Sequence, residues 1–361
     1  MEISLNLFKF YDLVGPLTRS EIIENLNKMD LKSAKLERFQ VDSKKGDPEY
    51  IHYPEPISFI LEENLNEKEK IEIIVKIYSY GAISFKANLK PDVENISELN
   101  KFYQNSADIK KIEEIFDKNY QLFYQQFSTK FEKKYYSKNN FTNLYPVYCF
   151  SDTDYDDVKE VVENNREKVA KLLVGVSSEG SYSKEQIENV LKYNTRFYKE
   201  DYSVIHWNGS LAISNEGNYI DLLYIIELAN IQFVKLRSYD AYIDNYLSEY
   251  LDLSKNKLNK GIEFINPVSK TITNITKMRV EFEQITDIMD NFEKFFGKWY
   301  MAKIYYLASS SFEIPRWKKL IKSRLETVDD LYTMINNERN RKKMLFLNFL
   351  MLLLFVLWFF I

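Results

Sequence analysis

The segment of this chain with the densest potential chemistry is Glu227 to Asp244, ELANIQFVKLRSYDAYID. On a helix, at 100° per residue, Asn230, Arg237, Asp240 and Asp244 fall within about 80° of one another. Arg237 stands one turn from Asp240 and two turns from Asp244, so its guanidinium can pair with a carboxylate. This polar row overlaps an apolar one made of Leu222, Ile226, Ala229, Phe233 and Leu247. Glu227, Asn230, Arg237, Asp240 and Asp244 therefore form the candidate site. Paired charges on such a face set helix register or partner choice, and a solvated face or a polar cavity are the other readings.

Other motifs fall short of a chemistry. Gly175 and Gly180 have the spacing of a phosphate loop, but Ser181 and Tyr182 stand where a Lys and a Ser or Thr are needed. Asp152, Asp154 and Asp156, with Glu163 at the twelfth position, have calcium-loop spacing. Asp157 occupies the sixth position, which requires Gly. The two histidines, His52 and His206, have no ligand at standard spacing. The single cysteine, Cys149, excludes an internal disulfide, and no basic residue follows it to activate the thiol. No catalytic residue, metal or cofactor is expected, and the chain reads as a non-enzyme.

The elements that must position the stripe follow from periodicity. Ile3–Leu13 reads as a strand, and Thr18 to Glu21 as a capping box opening a helix to about Met29. Ile57–Leu61, Ile71–Tyr78 and Ala82–Leu89 read as strands, the last two a hairpin around Tyr80-Gly81. Asp108 to about Lys138 reads as helix. Tyr145–Phe150, Leu172–Val176, Ser203–Trp207 and Leu211–Ser214 read as strands. Tyr219 to about Leu258, free of Gly and Pro, is one long helix. Gly261–Pro267 is a turn, Val268 to about Phe312 a second helix, and Pro315 sits in the first turn of a third. The expected fold is α+β: a mixed α/β domain (1–217), a stalk of long antiparallel helices (218–343), and a terminal transmembrane helix (344–361).

That last segment, MLFLNFLMLLLFVLWFFI, holds one polar residue, Asn348. As a helix its length is about 27 Å, near the bilayer's hydrocarbon thickness. Arg339, Arg341, Lys342 and Lys343 precede it, and a basic cluster orients a span with its body in the cytoplasm. The expectation is a tail-anchored, single-pass protein of the cytoplasmic membrane, with the lipid bilayer as one partner. The 49 basic residues against 53 acidic argue against a dedicated nucleic-acid binder. A homo-oligomer and a further protein partner are expected instead.

Several pieces resemble a known family. Val75-Lys-Ile-Tyr-Ser-Tyr80-Gly81-Ala-Ile-Ser-Phe85 is similar to its strand-turn-strand signature. Val204-Ile-His-Trp-Asn208 and Glu227–Asp244 are similar to the middle of its bacterial members. Trp317, Leu325-Glu-Thr-Val-Asp329 and Tyr332 are similar to its end. This is the "required for meiotic nuclear division" type, and the resemblance covers residues 75–361. It implies a membrane-anchored, oligomerising protein without an established enzymatic activity, and it transfers no catalytic residue. The leading expectation is an oligomeric scaffold or interaction module. The alternative is a subunit of an ion channel, whose layout is similar to CorA-type magnesium channels, with Asn348 lining the pore.

Overall fold

The computed structural model describes residues 2–13, 15–29, 56–66, 69–127, 144–151, 153, 155–176, 180–257, 279–280, 282–283, 286–287 and 299–359. Among them one sheet is built from β1 (Glu2–Asp12), β2 (Ile57–Asn64), β3 (Lys70–Tyr78), β4 (Ala82–Leu89), β5 (Tyr145–Ser151), β6 (Asn194–Thr195), β7 (Asp201–His206) and β8 (Gly209–Ser214). Their order is β2-β3-β4-β1-β5-β8-β7-β6. Neighbours are antiparallel except β5 and β8, which pair in parallel as Val147 with Ser210 through Phe150 with Ile213. A parallel pair needs a crossover connection, and the chain between β5 and β8 supplies it.

The central strands carry apolar residues at almost every position because both sheet faces are covered. One face takes Leu5, Leu7, Tyr11, Ile73, Val75, Phe85, Tyr148 and Phe150. It is packed by α1 (Arg19–Lys28), α2 (Ile96–Asn105), α3 (Ala107–Phe127), α4 (Lys159–Glu163), α5 (Arg166–Val174) and α6 (Lys184–Val190). The other face takes Phe8, Phe10, Tyr78, Val147, Cys149 and Ala212. Against it lie α7 (Ile220–Lys257), α8 (Trp299–Ser311) and α9 (Ile314–Phe359).

Local signals account for several ends. The Thr18–Glu21 capping box forms: the Thr18 hydroxyl accepts from Glu21 N–H at 3.3 Å, and the Glu21 carboxylate accepts from Thr18 N–H at 2.9 Å. The stretch Leu172–Val176, expected as a strand, instead closes α5, and Gly175 caps that helix in the left-handed region (φ 71°). The turn into α9 passes through Glu313 at φ 54°, whose N–H donates to the Ser310 carbonyl at 3.2 Å. Pro315 falls in the first turn of α9, where its missing N–H costs nothing. The expected turn Gly261–Pro267 lies outside the described residues, as does most of the second long helix before Trp299.

The helical layer docks on the sheet instead of standing apart from it. Gln232 of α7 meets Tyr305 of α8, and Tyr239 meets Phe282. Phe233 meets Trp317 and Asp240 meets Arg324, so α9 runs parallel to α7. Continuing that register sets Lys257, the end of α7, level with Arg341. The rest of α9 projects past it.

The expected membrane span is corrected here. Among the described residues no helix is long and apolar enough to cross a membrane. The apolar part of α9, Met344–Phe359, is about 24 Å long, short of the roughly 30 Å hydrocarbon core, and charged Arg341–Lys343 adjoin it. The other two residues of the expected span, Phe360 and Ile361, lie outside the described residues. The terminal transmembrane helix of the expected fold, the tail anchor and the single-pass placement in the cytoplasmic membrane are therefore not supported. A pore lined by Asn348 requires the same span.

The β3–β4 turn hinges on Gly81. Its φ is 74°, and a Cβ placed there would sit 1.8 Å from the Gly15 carbonyl oxygen. Its carbonyl accepts from Leu13 N–H at 2.8 Å, tying the turn to the end of β1. Gly81→Ala is expected to destabilise the fold by more than about 1 kcal/mol, read as a lower urea midpoint at unchanged slope.

Candidate functional site

The candidate stripe divides between two surfaces of α7. Glu227 is buried and faces the sheet. It forms an ion pair with Lys76 of β3 at 2.5 Å and accepts a hydrogen bond from the Ser84 hydroxyl of β4. Asp240 and Asp244 face α9, where Arg324 reaches both carboxylates, at 2.9 and 2.5 Å. Arg237, the expected intrahelical partner, lies over the Phe233 ring at 5.5 Å and also attracts Asp240 electrostatically. Burial pulls the Arg237 pKa down and pushes Asp240 up, against the pull of Arg324. Asn230 is buried, and its amide donates to the Ile226 carbonyl at 2.9 Å, one turn back. Of the basic cluster, Arg341, Lys342 and Lys343 are exposed on α9, while the side chain of Arg339 lies outside the described residues.

The polar residues that sequence reasoning missed lie on the sheet-facing side of α7. Lys235, 1% exposed, donates to the Asp12 carboxylate at 2.6 Å. Tyr242 donates to the other Asp12 oxygen. Asp12 also holds the opposite layer: its carbonyl accepts from Tyr120 of α3 at 3.0 Å. The last residue of β1 thus clamps helices on both sheet faces. On that opposite face, buried Lys9 pairs with Glu113 and Asp117, each at 2.8 Å, and Tyr11 donates to Asp117 at 2.6 Å. A signal for these pairs exists in the sequence. Lys76 interrupts the strand IEIIVKIY and Asp12 closes FKFYD, and a charge at a core position must find a partner.

Elsewhere the side chains have structural roles. Gln232 is fully buried and accepts from Tyr305 at 2.6 Å. His206 accepts from Asn208 N–H at 3.3 Å, and burial lowers its pKa. Asp157 takes both contacts from Arg196, at 3.1 and 2.9 Å. Asp152, Asp154 and His52 lie outside the described residues. Among the described residues no group of three or more His, Cys, Asp or Glu is placed to hold a metal ion. The arrangement can join layers through charge-assisted hydrogen bonds, which are roughly twice as strong as neutral ones.

Comparison with known proteins places this geometry in context. The sequence model of the family described as "Uncharacterized protein MJ0711, N-terminal domain" matches residues 9–219. Uncharacterized protein MJ0711 of Methanocaldococcus jannaschii is 25% identical over 277 residues, which cover 77% of this chain and 77% of that protein. No solved structure matches. The family match takes in β2 to β8 with only the last four residues of β1, and ends where α7 begins. It includes Lys76, Ser84 and Asp12 but not their partners on α7.

Cys149 tests how tightly α7 seals the sheet. The thiol is 1% exposed, and burial pushes its pKa up to about 12, opposed by the Asn6 amide at 3.4 Å. At pH 8 it is therefore protonated and inaccessible. Iodoacetamide is expected to leave it unmodified in the folded protein and to alkylate it promptly in urea, as read by intact mass.

Proposed function

The chain belongs to the MJ0711 N-terminal-domain family, and from that footing we propose that it is a non-enzymatic scaffold that assembles with copies of itself through the end of α9. The carrying observation is the exposure of that end. From Met344 to Trp358 every apolar side chain is between 42% and 74% exposed. A helix of this length is a cylinder about 22 Å long and 10 Å across, presenting roughly 700 Å². Monomeric proteins seldom leave so large an apolar patch bare. It is close to the roughly 800 Å² per partner of a standard interface.

Two further features support the reading. Glu227 and Lys235 of α7 are engaged with the sheet, and Asp240 and Asp244 with α9, so these charges serve docking. Asn348 lies inside the apolar run, and a single polar residue at such a seam specifies register and copy number. The reading also accords with the resemblance to the "required for meiotic nuclear division" type, which implies oligomerising proteins without established enzymatic activity. The sheet body then stands as the module that an assembled stalk presents to other proteins.

Light scattering of the full-length chain tests this. The protein is expected to be a multimer, and Leu350→Arg with Leu353→Arg to reduce it to single chains with unchanged circular dichroism. An unchanged mass in the double variant contradicts the reading. So does a full-length protein that remains a single chain and floats with phosphatidylcholine vesicles.

A further inference from the structure

Lys86 stands apart from the other lysines of the sheet. It lies on β4, two residues beyond Ser84, and so faces the α7 side. Its register neighbours are Phe8 of β1 and Ile74 of β3, an apolar frame. Lys9 has Glu113 and Asp117, and Lys76 has Glu227, as Lys235 of α7 has Asp12. Among the described residues no carboxylate pairs with Lys86. The charged and titratable groups that face it are Glu227, Lys76 and Cys149. Glu227 already holds Lys76 and Ser84. The Cys149 thiol, with its pKa near 12, carries no charge at neutral pH.

Burial disfavours an ammonium without a counterion. Here it pulls the Lys86 pKa down; Glu227 opposes the shift and Lys76 adds to it. The residue is nonetheless only half-buried, unlike the sealed Lys76 and Lys235. A lysine partly desolvated and placed near another cation is an activated nucleophile.

We propose that Lys86 is the preferred amine nucleophile among the described lysines and takes up small aldehydes as a reversible imine. The Nζ lone pair forms the C–N bond to the carbonyl carbon, and the oxygen takes a proton. The amine then loses its remaining proton as water departs and the C=N bond forms. Water reverses the step, and no oxidant or reductant enters. This inference is independent of assembly through α9.

The test is limiting ¹³C-formaldehyde with cyanoborohydride on the full-length protein at pH 7, followed by peptide mapping. Lys86 is expected to take label several-fold faster than exposed Lys90 and Lys184. That lead shrinks at pH 10, where the other amines also lose their protons. In fully dimethylated protein, the ¹³C signal missing from Lys86→Arg is expected to titrate below the rest. Labelling of Lys86 no faster than Lys90, or titration of its signal together with the others, overturns the proposal.

Discussion

The structure depends on ion pairs closed between the sheet and α7. Glu227 with Lys76, and Lys235 with Asp12, bury four charges in an otherwise apolar layer. Any one of them left without its partner costs about 3–5 kcal/mol. Both pairs close together only when α7 crosses the sheet at one angle and one axial position. Apolar packing alone tolerates sliding by a residue or a turn. The charges do not, so they select a single docked arrangement.

That arrangement propagates. Asp12 joins α3 and α7 across the sheet, which couples the two helical layers through the end of β1. Once α7 is set, Asp240 and Asp244 present a paired acidic site to Arg324, and with Phe233 against Trp317 this places α9 parallel to α7. Ile321, Leu325 and Val328 bury the near part of α9. Farther along the same helix, the apolar side chains from Met344 to Trp358 are exposed. The proposed scaffold would assemble through that exposed end.

The sequence made the elements legible where local rules are strong. The Thr18–Glu21 box, the long Gly- and Pro-free helix α7 and Pro315 at the start of α9 follow from chemistry within a few residues. Leu172–Val176 misleads because a short apolar run suits a strand or a buried helix end, and only the Gly175 cap decides. The candidate stripe was half legible. Angular spacing groups Asp240 with Asp244 and Arg237, but it cannot show that Arg324 of α9 reaches both carboxylates. Lys235 and Lys76 are hidden for the same reason, since their partners lie 223 and 151 residues away. The terminal apolar run suggests a span by composition, yet the described helix offers too short an apolar length.

The most direct test of the docking account is a double-mutant cycle on Lys76→Met and Glu227→Leu, read by urea unfolding. Each single variant leaves one buried charge alone and is expected to lose about 3–5 kcal/mol. The double variant replaces the pair by apolar groups and is expected to recover most of that loss. Additive losses, or a Glu227→Leu single variant as stable as the parent, would contradict the claim that this pair locks α7 onto the sheet.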